Sequence, residues 1–338
     1  MNIRKDISIR EHNSFGVDVS AAFFSESHNI EELKLLLKKD IHPEVFILSG
    51  GSNLLLTKDI DAHVIKICHK GIHLISETDT EVVLEVAAGE NWHDFVIWCI
   101  DHQYGGIENL SLIPGCVGSA PIQNIGAYGV ELKDVFVSCK VIEKETLEEK
   151  ELSAKDCQFG YRSSIFKTTA KGQYIIYSVV LCLKKKPHLL KTDYGDIQRV
   201  LNDHGTAGVP SIKSVSDAVI AIRNAKLPNP KVLGNSGSFF KNPVVDGVFF
   251  ENFHAHFPEA PFFKIADNQF KIPAGWLIEK CGLKGHREND AGVHDKQALV
   301  LVNHGKATGL ELLALANKVI QTVQQRFSII LEPEVNII

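Results

Sequence analysis

The sequence lacks the signatures of the commonest nucleotide-binding and hydrolytic sites. No G-x-G-x-x-G follows a strand-like segment, and no G-x-x-x-x-G-K-[ST] occurs in the 338 residues. A classical dinucleotide-binding fold and a P-loop are therefore not supported. The metalloprotease pattern H-E-x-x-H and the serine-hydrolase pattern G-x-S-x-G are also missing, so neither of those chemistries is expected.

The cysteines form no recognisable framework. There are seven of them, an odd number, and none belongs to a C-x-x-C pair. This pattern argues against a disulfide scaffold and a structural zinc site, and it predicts reduced thiols. His254 and His256 could place two imidazoles on one face of a strand, but no third ligand stands nearby in the sequence. We therefore expect no metal.

Long apolar runs are absent as well. No stretch approaches the roughly 18 apolar residues of a transmembrane helix, and residues 1–10 are too charged for a secretory signal. With a formal net charge of −5, the chain also lacks the basic surplus of a nucleic-acid-binding domain. We expect a cytoplasmic protein that binds neither membrane nor nucleic acid, as a monomer or weak oligomer.

The hydrophobic pattern indicates an α+β fold in three parts, with boundaries near residues 72 and 210. Helices are predicted from the cap Asn29, over 92–102, over 216–225 and from the capping box at Thr308. Runs of β-branched and aromatic residues predict strands at 45–48, 64–67, 82–86, 135–141 and 174–181. An irregular, aromatic-rich stretch extends to about residue 272, and a strand-like tail covers 329–338.

A glycine turn follows the first buried strand. Gly50, Gly51, Ser52 and Asn53 come just after the apolar segment 45–48. Glycines permit left-handed backbone angles and close approach of a ligand, and successive N–H groups in such a turn can bind an anion. The same residues also suit a plain tight turn, so by themselves they leave both interpretations open.

A second glycine-rich segment is longer and almost uncharged. It runs from Pro114 to Gly129 and holds four glycines and two prolines in sixteen residues. A surface loop of this length is normally more polar and seldom lacks secondary structure. The segment makes sense if a large ligand lies along its backbone, with N–H groups on a diphosphate and a flat ring near Tyr128. An internal loop without a ligand is the less favoured alternative.

Together the two segments resemble the pyrophosphate-binding segments of the vanillyl-alcohol-oxidase type of FAD fold. Within that fold, the chain is similar to the UDP-N-acetylenolpyruvoylglucosamine reductase family over nearly its whole length. Further matching stretches lie at 13–16, 159–166, 226–231, 234–243, 274–278 and 331–335. The resemblance implies FAD-binding subdomains at 1–72 and 73–210, a substrate-binding domain at 211–328, and a tail at 329–338 that returns to the active site.

The resemblance also implies the ligands. FAD would bind without a covalent bond, and NADPH would be the hydride donor. The implied FAD-binding residues are Gly50, Gly51, Ser52, Asn53, Pro114, Gly115, Gly118, Ser119, Gln123, Asn124, Gly126, Tyr128 and Gly129.

The family reaction, as the resemblance implies it, reduces the enolpyruvyl ether of a UDP-sugar. Arg162 would bind the carboxylate of the substrate through two parallel N–H bonds. Ser238 would donate the proton, with Lys241 or a water supporting the alkoxide, and Ser236 is its neighbouring competitor. Glu334 would donate a hydrogen bond or a proton. Glu332 lies one strand spacing away and stays an alternative, since it points to the same face.

Contacts to the sugar nucleotide are implied at Tyr194, Lys226, Lys241, Asn242 and Gln297. Tyr194 resembles the tyrosine of a mobile loop that closes over the diphosphate and excludes water. Two other functions stay open: an FAD-dependent alcohol or sugar oxidase on the same fold, and a non-catalytic protein that binds nucleotide sugars.

Overall fold

The computed structural model describes residues 2–203 and 210–338. The chain divides into two compact units, and each unit is assembled from three stretches of sequence. The first comprises Met1–Ile7, Ala21–Gly50 and Ile60–Ala225, and the second comprises Ser8–Ser20, Gly51–Asp59 and Lys226–Ile338. The division into parts at residues 72, 210 and 328 stays a prediction.

The described residues form strands and α-helices throughout, which confirms the α+β class. The strands are β1 (Arg4–Ser8), β2 (Ser20–Ser27), β3 (Val45–Leu48), β4 (Leu54–Leu55), β5 (Ile60–Ile67), β6 (Ile72–Glu77), β7 (Glu81–Ala87), β8 (Gly126–Ala127), β9 (Val130–Glu131), β10 (Phe136–Glu143), β11 (Glu149–Ser153), β12 (Tyr174–Lys184), β13 (Gly234–Ser238), β14 (Val244–Asp246), β15 (Phe263–Ala266), β16 (Gln269–Lys271), β17 (Arg287–Glu288), β18 (Ala291–Val293), β19 (Val300–Asn303) and β20 (Asn336–Ile337). The helices are α1 (Ile30–Lys38), α2 (Trp92–Asp101), α3 (Ala154–Cys157), α4 (Ile197–Asp203), α5 (Ile212–Lys226), α6 (Gly247–His256), α7 (Ala274–Lys280) and α8 (Gly309–Phe327).

The first unit contains a four-stranded sheet in the order β1-β2-β5-β3, in which β5 pairs parallel with both β2 and β3. Helix α1 begins as predicted, because the Asn29 side chain accepts the N–H of Glu32 at 2.9 Å. Leu33 and Leu36 of α1 are fully buried. The predicted helix and strands of this region are therefore confirmed.

A five-stranded antiparallel sheet, β11-β10-β12-β7-β6, forms the rest of the first unit's framework. Helix α2 buries Trp92, whose Nε1 donates to the carbonyl of Leu110 at 3.0 Å. On β7, Glu85 accepts from Lys140 at 2.8 Å and from Ser178 at 2.7 Å. Burial raises the pKa of Glu85, but the hydrogen bonds from Lys140 and Ser178 outweigh it and leave the pKa below its ordinary value.

The second unit contains an antiparallel sheet in the order β13-β19-β18-β17. Helix α8 starts with the predicted capping box, in which Thr308 and Glu311 bond each other's backbone N–H. Its buried face carries Leu312, Leu315, Val319, Val323 and Phe327. Short strands β4 and β20 pair in parallel, so the end of the chain is fastened within this unit.

The stretch before residue 272 is more regular than its sequence suggested. It holds helix α6 and the small sheet β14-β16-β15. The aromatic residues form a local core, in which Phe250 stacks on Phe270 with ring centroids 4.0 Å apart. His254 and His256 lie on α6, not on a strand. Residues two apart on a helix do not face the same way, so the expected shared face was wrong.

No helix in the described parts of the chain has the length and apolar character needed to span a membrane. Residues 2–203 and 210–338 also contain no group of three His, Cys, Asp or Glu side chains that could hold a metal ion. The seven cysteines are free thiols.

Candidate active site

Gly50, the part of the first glycine turn that belongs to the first unit, meets the second glycine-rich segment within that unit. A Cβ placed on Gly50 would lie 2.8 Å from the Cα of Gly115 and 3.3 Å from the backbone nitrogen of Cys116. Packed protein interiors leave no room for such contacts. Only glycine therefore fits at residue 50 while the two backbones lie so close. Gly50 and the second segment can then contact one ligand, as FAD binding there requires.

Ser49, just before the first glycine turn, adds a polar group. Its Oγ is shielded from solvent and has no hydrogen-bond partner among the described residues. A buried polar group left unsatisfied costs about 1–3 kcal/mol, which a ligand atom would offset. The close approach of Gly50 and Gly115, together with this hydroxyl, fits a site for FAD. Ser49 was not among the predicted cofactor-binding residues, although its position beside Gly50 was a usable signal.

The second segment turns as a 3₁₀ helix over Val117–Gln123. Gly118 packs so closely on Ala88 that a Cβ would clash, and its N–H donates to the Ala88 carbonyl at 2.9 Å. The Ser119 hydroxyl donates to the carbonyl of Cys116 at 2.7 Å, and Gln123 accepts from Lys167 at 3.3 Å. These two side chains have protein partners, so we expect this stretch to meet a cofactor mainly through its backbone.

Asn124 fastens the segment to a neighbouring loop. It is buried, with a left-handed φ of 46°. Its Nδ2 donates to the Gly160 carbonyl and to the Glu131 carboxylate, both at 3.1 Å, and its Oδ1 accepts the N–H of Lys133 at 3.0 Å. The amide is thus used within the protein, and any cofactor contact of Asn124 would come from its backbone.

That loop carries Arg162. Gly160 and Ser163 exchange backbone hydrogen bonds across a two-residue turn, and Arg162 in this turn has a φ of 51°. A left-handed angle is strained for any residue but glycine, and such strain concentrates at functional sites. The guanidinium Nη2 donates to the carbonyl of Gly126 at 2.5 Å. The structure therefore brings Arg162 against the glycine-rich segment.

Tyr194 lies against the end of the same segment. Its ring meets that of Tyr128 edge-on, with centroids 6.5 Å apart, and it is 43% exposed. The Nδ2 of Asn109 donates to the carbonyls of Tyr128 at 2.9 Å and of Lys191 at 2.8 Å. Asn109 thus ties the loop that bears Tyr194 to the segment predicted to bind FAD.

In the second unit, the predicted FAD residues Gly51 and Asn53 contact other backbone segments. Gly51 has a φ of 61°, and its carbonyl accepts the N–H of Ser14 at 3.0 Å. The Asn53 carbonyl accepts the N–H of Asn336 at 3.1 Å, and its Nδ2 donates to the Glu334 carbonyl at 3.4 Å. Asn53 is therefore joined to the C-terminal tail.

Ser238 ends strand β13 after an irregular step. Gly237 takes a left-handed φ of 69°, and the Asn235 side chain accepts its N–H at 2.9 Å. The Ser236 hydroxyl lies 3.0 Å from that of Ser14. No described residue hydrogen-bonds the Ser238 hydroxyl. Of the two competing serines, Ser238 is the one whose hydroxyl is not engaged by the described protein.

The tail runs antiparallel to the residues that follow Ser238. The Glu334 N–H donates to the Phe239 carbonyl at 2.8 Å, and the Lys241 N–H donates to the Glu332 carbonyl at 2.9 Å. Glu334 therefore lies opposite the residue that follows Ser238.

Their side-chain contacts distinguish Glu332 from Glu334. Lys241 Nζ donates to Glu332 at 3.1 Å, and the Glu332 carboxylate is largely exposed. Glu332 is thus paired with Lys241, which favours Glu334 as the acid. The same pair gives Lys241 a partner other than Ser238, so the expected support of a serine alkoxide by Lys241 finds no contact here.

Two further substrate candidates meet at helix α7. The Oδ1 of Asn242 accepts the N–H of Ala274 at 2.9 Å, which leaves its amide NH₂ as the donor toward a ligand. Gln297 packs on the next residue, since its Oε1 lies 3.0 Å from where a Cβ of Gly275 would be. Lys226 is the last residue of α5, and its role stays a prediction.

Arg223, three residues before Lys226, was missed in the sequence analysis. Its Nε is shielded from solvent and has no hydrogen-bond partner among the described residues. It follows Ser216 and Val219 at helical spacing, and both of those residues are buried. An arginine on the buried face of a predicted helix was the signal that could have revealed it.

Comparison with known proteins assigns these features to a family. A model described as UDP-N-acetylenolpyruvoylglucosamine reductase, C-terminal domain, matches residues 229–338, and an FAD binding domain model matches residues 22–146. A UDP-N-acetylenolpyruvoylglucosamine reductase of Flavobacterium johnsoniae is 53% identical over 338 residues, covering 100% of both chains. The chain belongs to the UDP-N-acetylenolpyruvoylglucosamine reductase family.

Other members agree. The UDP-N-acetylenolpyruvoylglucosamine reductase of Chromobacterium violaceum is 48% identical, covering 99% of this chain and 98% of its own. The crystal structure of the reductase from Thermus caldophilus aligns with a TM-score of 0.68 at 22% identity, covering 100% of this chain and 99% of that one, and so shows a shared fold. The suspected family, the fold class and the expectation of FAD are confirmed. Full-length identity to reductases also decides against the oxidase and non-catalytic alternatives.

Proposed function

We propose that this chain reduces the enolpyruvyl ether of UDP-N-acetylglucosamine enolpyruvate to UDP-N-acetylmuramate, a step of peptidoglycan precursor synthesis, at the expense of NADPH. The full-length identity of 53% to a UDP-N-acetylenolpyruvoylglucosamine reductase carries this conclusion. The placement of the candidate residues within each unit supports it. We further propose that the enzyme works in the cytoplasm as a monomer or weak oligomer.

The first requirement is a cradle for the cofactor. Gly50, Gly115 and Gly118 supply closely packed backbone, and the unpartnered hydroxyl of Ser49 supplies a polar contact. When bound, FAD supplies the hydride relay from NADPH to the methylene carbon of the enolpyruvyl ether. The protein must then stabilise the negative charge that spreads into the substrate carboxylate and protonate the neighbouring carbon.

Arg162 meets the charge requirement. A guanidinium stays ionised and can bind both carboxylate oxygens in parallel. Its turn is held by the Gly160–Ser163 backbone pair, by Asn124 and by the bond to Gly126. Because the protein fixes the guanidinium before substrate arrives, little reorganisation remains for the transition state.

Ser238 and Glu334 meet the proton requirement. A serine hydroxyl is a weak acid, but a carbanion is basic enough to accept its proton when the resulting alkoxide is stabilised. We propose that Glu334, whose N–H bonds the carbonyl of the residue after Ser238, supports that transfer with a hydrogen bond or a proton. Lys241 is tied to Glu332, so we assign it to substrate contact and not to the alkoxide.

The remaining groups suit the sugar nucleotide. We propose that Tyr194 donates to the diphosphate and closes over it, which would exclude water. Asn242 and Gln297, which meet at α7, would contact the sugar or uracil together with Lys226 and Lys241.

An anaerobic spectral experiment tests this function. The purified protein should be yellow, and NADPH should bleach the flavin absorbance. Colour should return under nitrogen only after addition of UDP-N-acetylglucosamine enolpyruvate, with UDP-N-acetylmuramate as product. A protein that takes up no FAD, or a reduced flavin that reoxidises only with oxygen, would overturn the proposal.

A further inference from the structure

Asn109 is a buried amide with an uneven set of contacts. It lies in the 3₁₀ turn Glu108–Leu110 of the first unit and is 1% exposed. Its Nδ2 donates to the carbonyl of Tyr128 at 2.9 Å and to that of Lys191 at 2.8 Å, which uses both of its hydrogens. Its Oδ1 is buried with no hydrogen-bond partner among the described residues. Turning the amide over would set that oxygen against two carbonyl oxygens, so the two donor bonds decide its orientation.

The backbone that carries Asn109 is held on both sides. The carboxylate of Glu108 accepts the N–H of Gly106 at 2.6 Å, and the Glu108 carbonyl accepts the Ser111 hydroxyl at 2.7 Å. The Ser111 hydroxyl also lies 2.7 Å from that of Ser216 on α5. Glu108, Ser111 and Ser216 are all buried. Because buried hydrogen-bond networks of this kind restrict movement, Asn109 projects from a fixed base toward the two carbonyls.

The two carbonyls belong to different segments of the first unit. Tyr128 lies near the end of the segment predicted to bind FAD, and Lys191 stands three residues before Tyr194 in the loop between β12 and α4, here called the Tyr194 loop. The Cβ of Tyr194 lies 3.5 Å from where a Cβ of Gly129 would be, and its ring meets Tyr128 edge-on. The ion pair of the Lys191 ammonium is partly exposed, and such pairs contribute little. Asn109 therefore supplies a buried contact at the start of the Tyr194 loop.

We propose that Asn109 is a positioning residue for substrate binding: it holds the start of the Tyr194 loop against the cofactor segment, so that Tyr194 is in place when the diphosphate arrives. The inference rests on the proposed function, which gives Tyr194 that contact. A ligand's apparent affinity falls in proportion to the fraction of protein in the binding-competent arrangement. Losing both donor bonds lowers the fraction with the loop docked. Affinity for diphosphate ligands should therefore fall, while the rate of hydride transfer at saturation should stay, because neither residue is assigned to the reacting atoms.

The test uses the FAD-loaded enzyme and Asn109→Leu, which keeps the side chain's volume and removes both donors. Calorimetric titration with UDP-N-acetylmuramate should show about ten- to a hundredfold weaker binding, as expected for two lost hydrogen bonds. In stopped-flow reoxidation of the reduced flavin, the half-saturating concentration of the enolpyruvyl substrate should rise by a similar factor, with the maximal rate within about threefold of wild type. Asn109→Ala leaves room for a water to bridge the two carbonyls, so its loss should be smaller, and it replaces Asn109→Leu if that variant does not hold FAD.

A double-mutant cycle with Tyr194→Ala separates positioning from a general loss of stability. If Asn109 acts through Tyr194, adding Asn109→Leu to Tyr194→Ala should change the dissociation constant by less than about twofold. Ser25→Ala is the matched control. Ser25 carries a buried hydroxyl in the same unit, 2.9 Å from Nε2 of His63, so its loss should lower the melting temperature and leave ligand binding unchanged.

Four results would each overturn the assignment of Asn109. They are additive losses in the double variant, unchanged binding in Asn109→Leu, a slower maximal rate with an unchanged half-saturating concentration, and equal weakening by Ser25→Ala. If wild type binds no UDP-N-acetylmuramate, or if Tyr194→Ala binds it as well as wild type does, the proposed function or its assignment of Tyr194 fails instead.

Discussion

Replacing Gly50 by alanine tests whether the contact between the two glycine-rich segments forms the cofactor site. The added Cβ would lie 2.8 Å from the Cα of Gly115, roughly half an ångström inside ordinary contact distance. The obstructing atoms belong to backbone and cannot rotate away, so the two segments must separate. Overpacking of this kind costs about 1–3 kcal/mol. If the same backbones hold FAD, its dissociation constant should rise by about ten- to a hundredfold.

Fluorescence titration of the apoprotein with FAD measures this affinity, and thermal unfolding of the apoprotein reports the stability loss. Gly172→Ala is the control. Gly172 has a φ of 78° with nothing within 4 Å of its added Cβ, so alanine there brings strain of about 1–2 kcal/mol without a collision. It should lower stability and leave FAD affinity unchanged. Wild-type FAD affinity in Gly50→Ala, or equal loss of affinity in both variants, would refute the reasoning.

Three further outcomes are expected. Ser238→Ala should keep flavin that NADPH reduces at the normal rate, while reoxidation by the enolpyruvyl substrate, followed by stopped-flow absorbance, slows about a hundred- to ten-thousandfold; normal reoxidation would reassign the proton donor. Glu334→Gln should slow the same step, whereas Glu332→Gln should stay within about threefold of wild type, and the reverse order would exchange their roles. Glu85→Gln should cost about 1 kcal/mol at pH 7. The folded-state pKa of Glu85 lies below its ordinary 4.5, so this stabilisation is present above that value and is lost as pH falls through the folded pKa. Chemical unfolding of wild type and Glu85→Gln should therefore show a smaller difference in the free energy of unfolding at pH 3 than at pH 7. An equal difference at both pH values would contradict the linkage.

Local features of this protein could be predicted from its sequence because their causes are local. Asn29 and Thr308 cap helices through bonds to residues three positions on, and those spacings stand in the sequence. The glycine turn at residue 50 could be predicted as a place of close approach, because only glycine permits one. The partner backbone at Gly115 could not be derived this way, since it depends on how distant segments pack.

Sequence reasoning falls short where tertiary contacts decide the structure. The stretch before residue 272 was predicted to be irregular and rich in aromatic residues, yet Phe250 and Phe270 stack on each other between α6 and β16. The support of Ser238 by Lys241 or a water stays a prediction, but the antiparallel tail gives Lys241 a partner, Glu332, that nearness in sequence did not suggest. Such pairings depend on chain reversal at long range, which no local pattern encodes.

Arg162 shows most clearly what local sequence preferences do not predict. A turn that needs a left-handed residue normally takes glycine, and glycine at 162 would remove the strain. The structure keeps an arginine there, so the folded protein must offset the cost elsewhere. The bonds from Asn124 to Gly160 and from Arg162 to Gly126 do so, and both end on the glycine-rich segment or on the turn itself. The strained angle is therefore best explained by what the side chain does: it directs a fixed cation toward the place where the cofactor segment and the substrate carboxylate are proposed to meet.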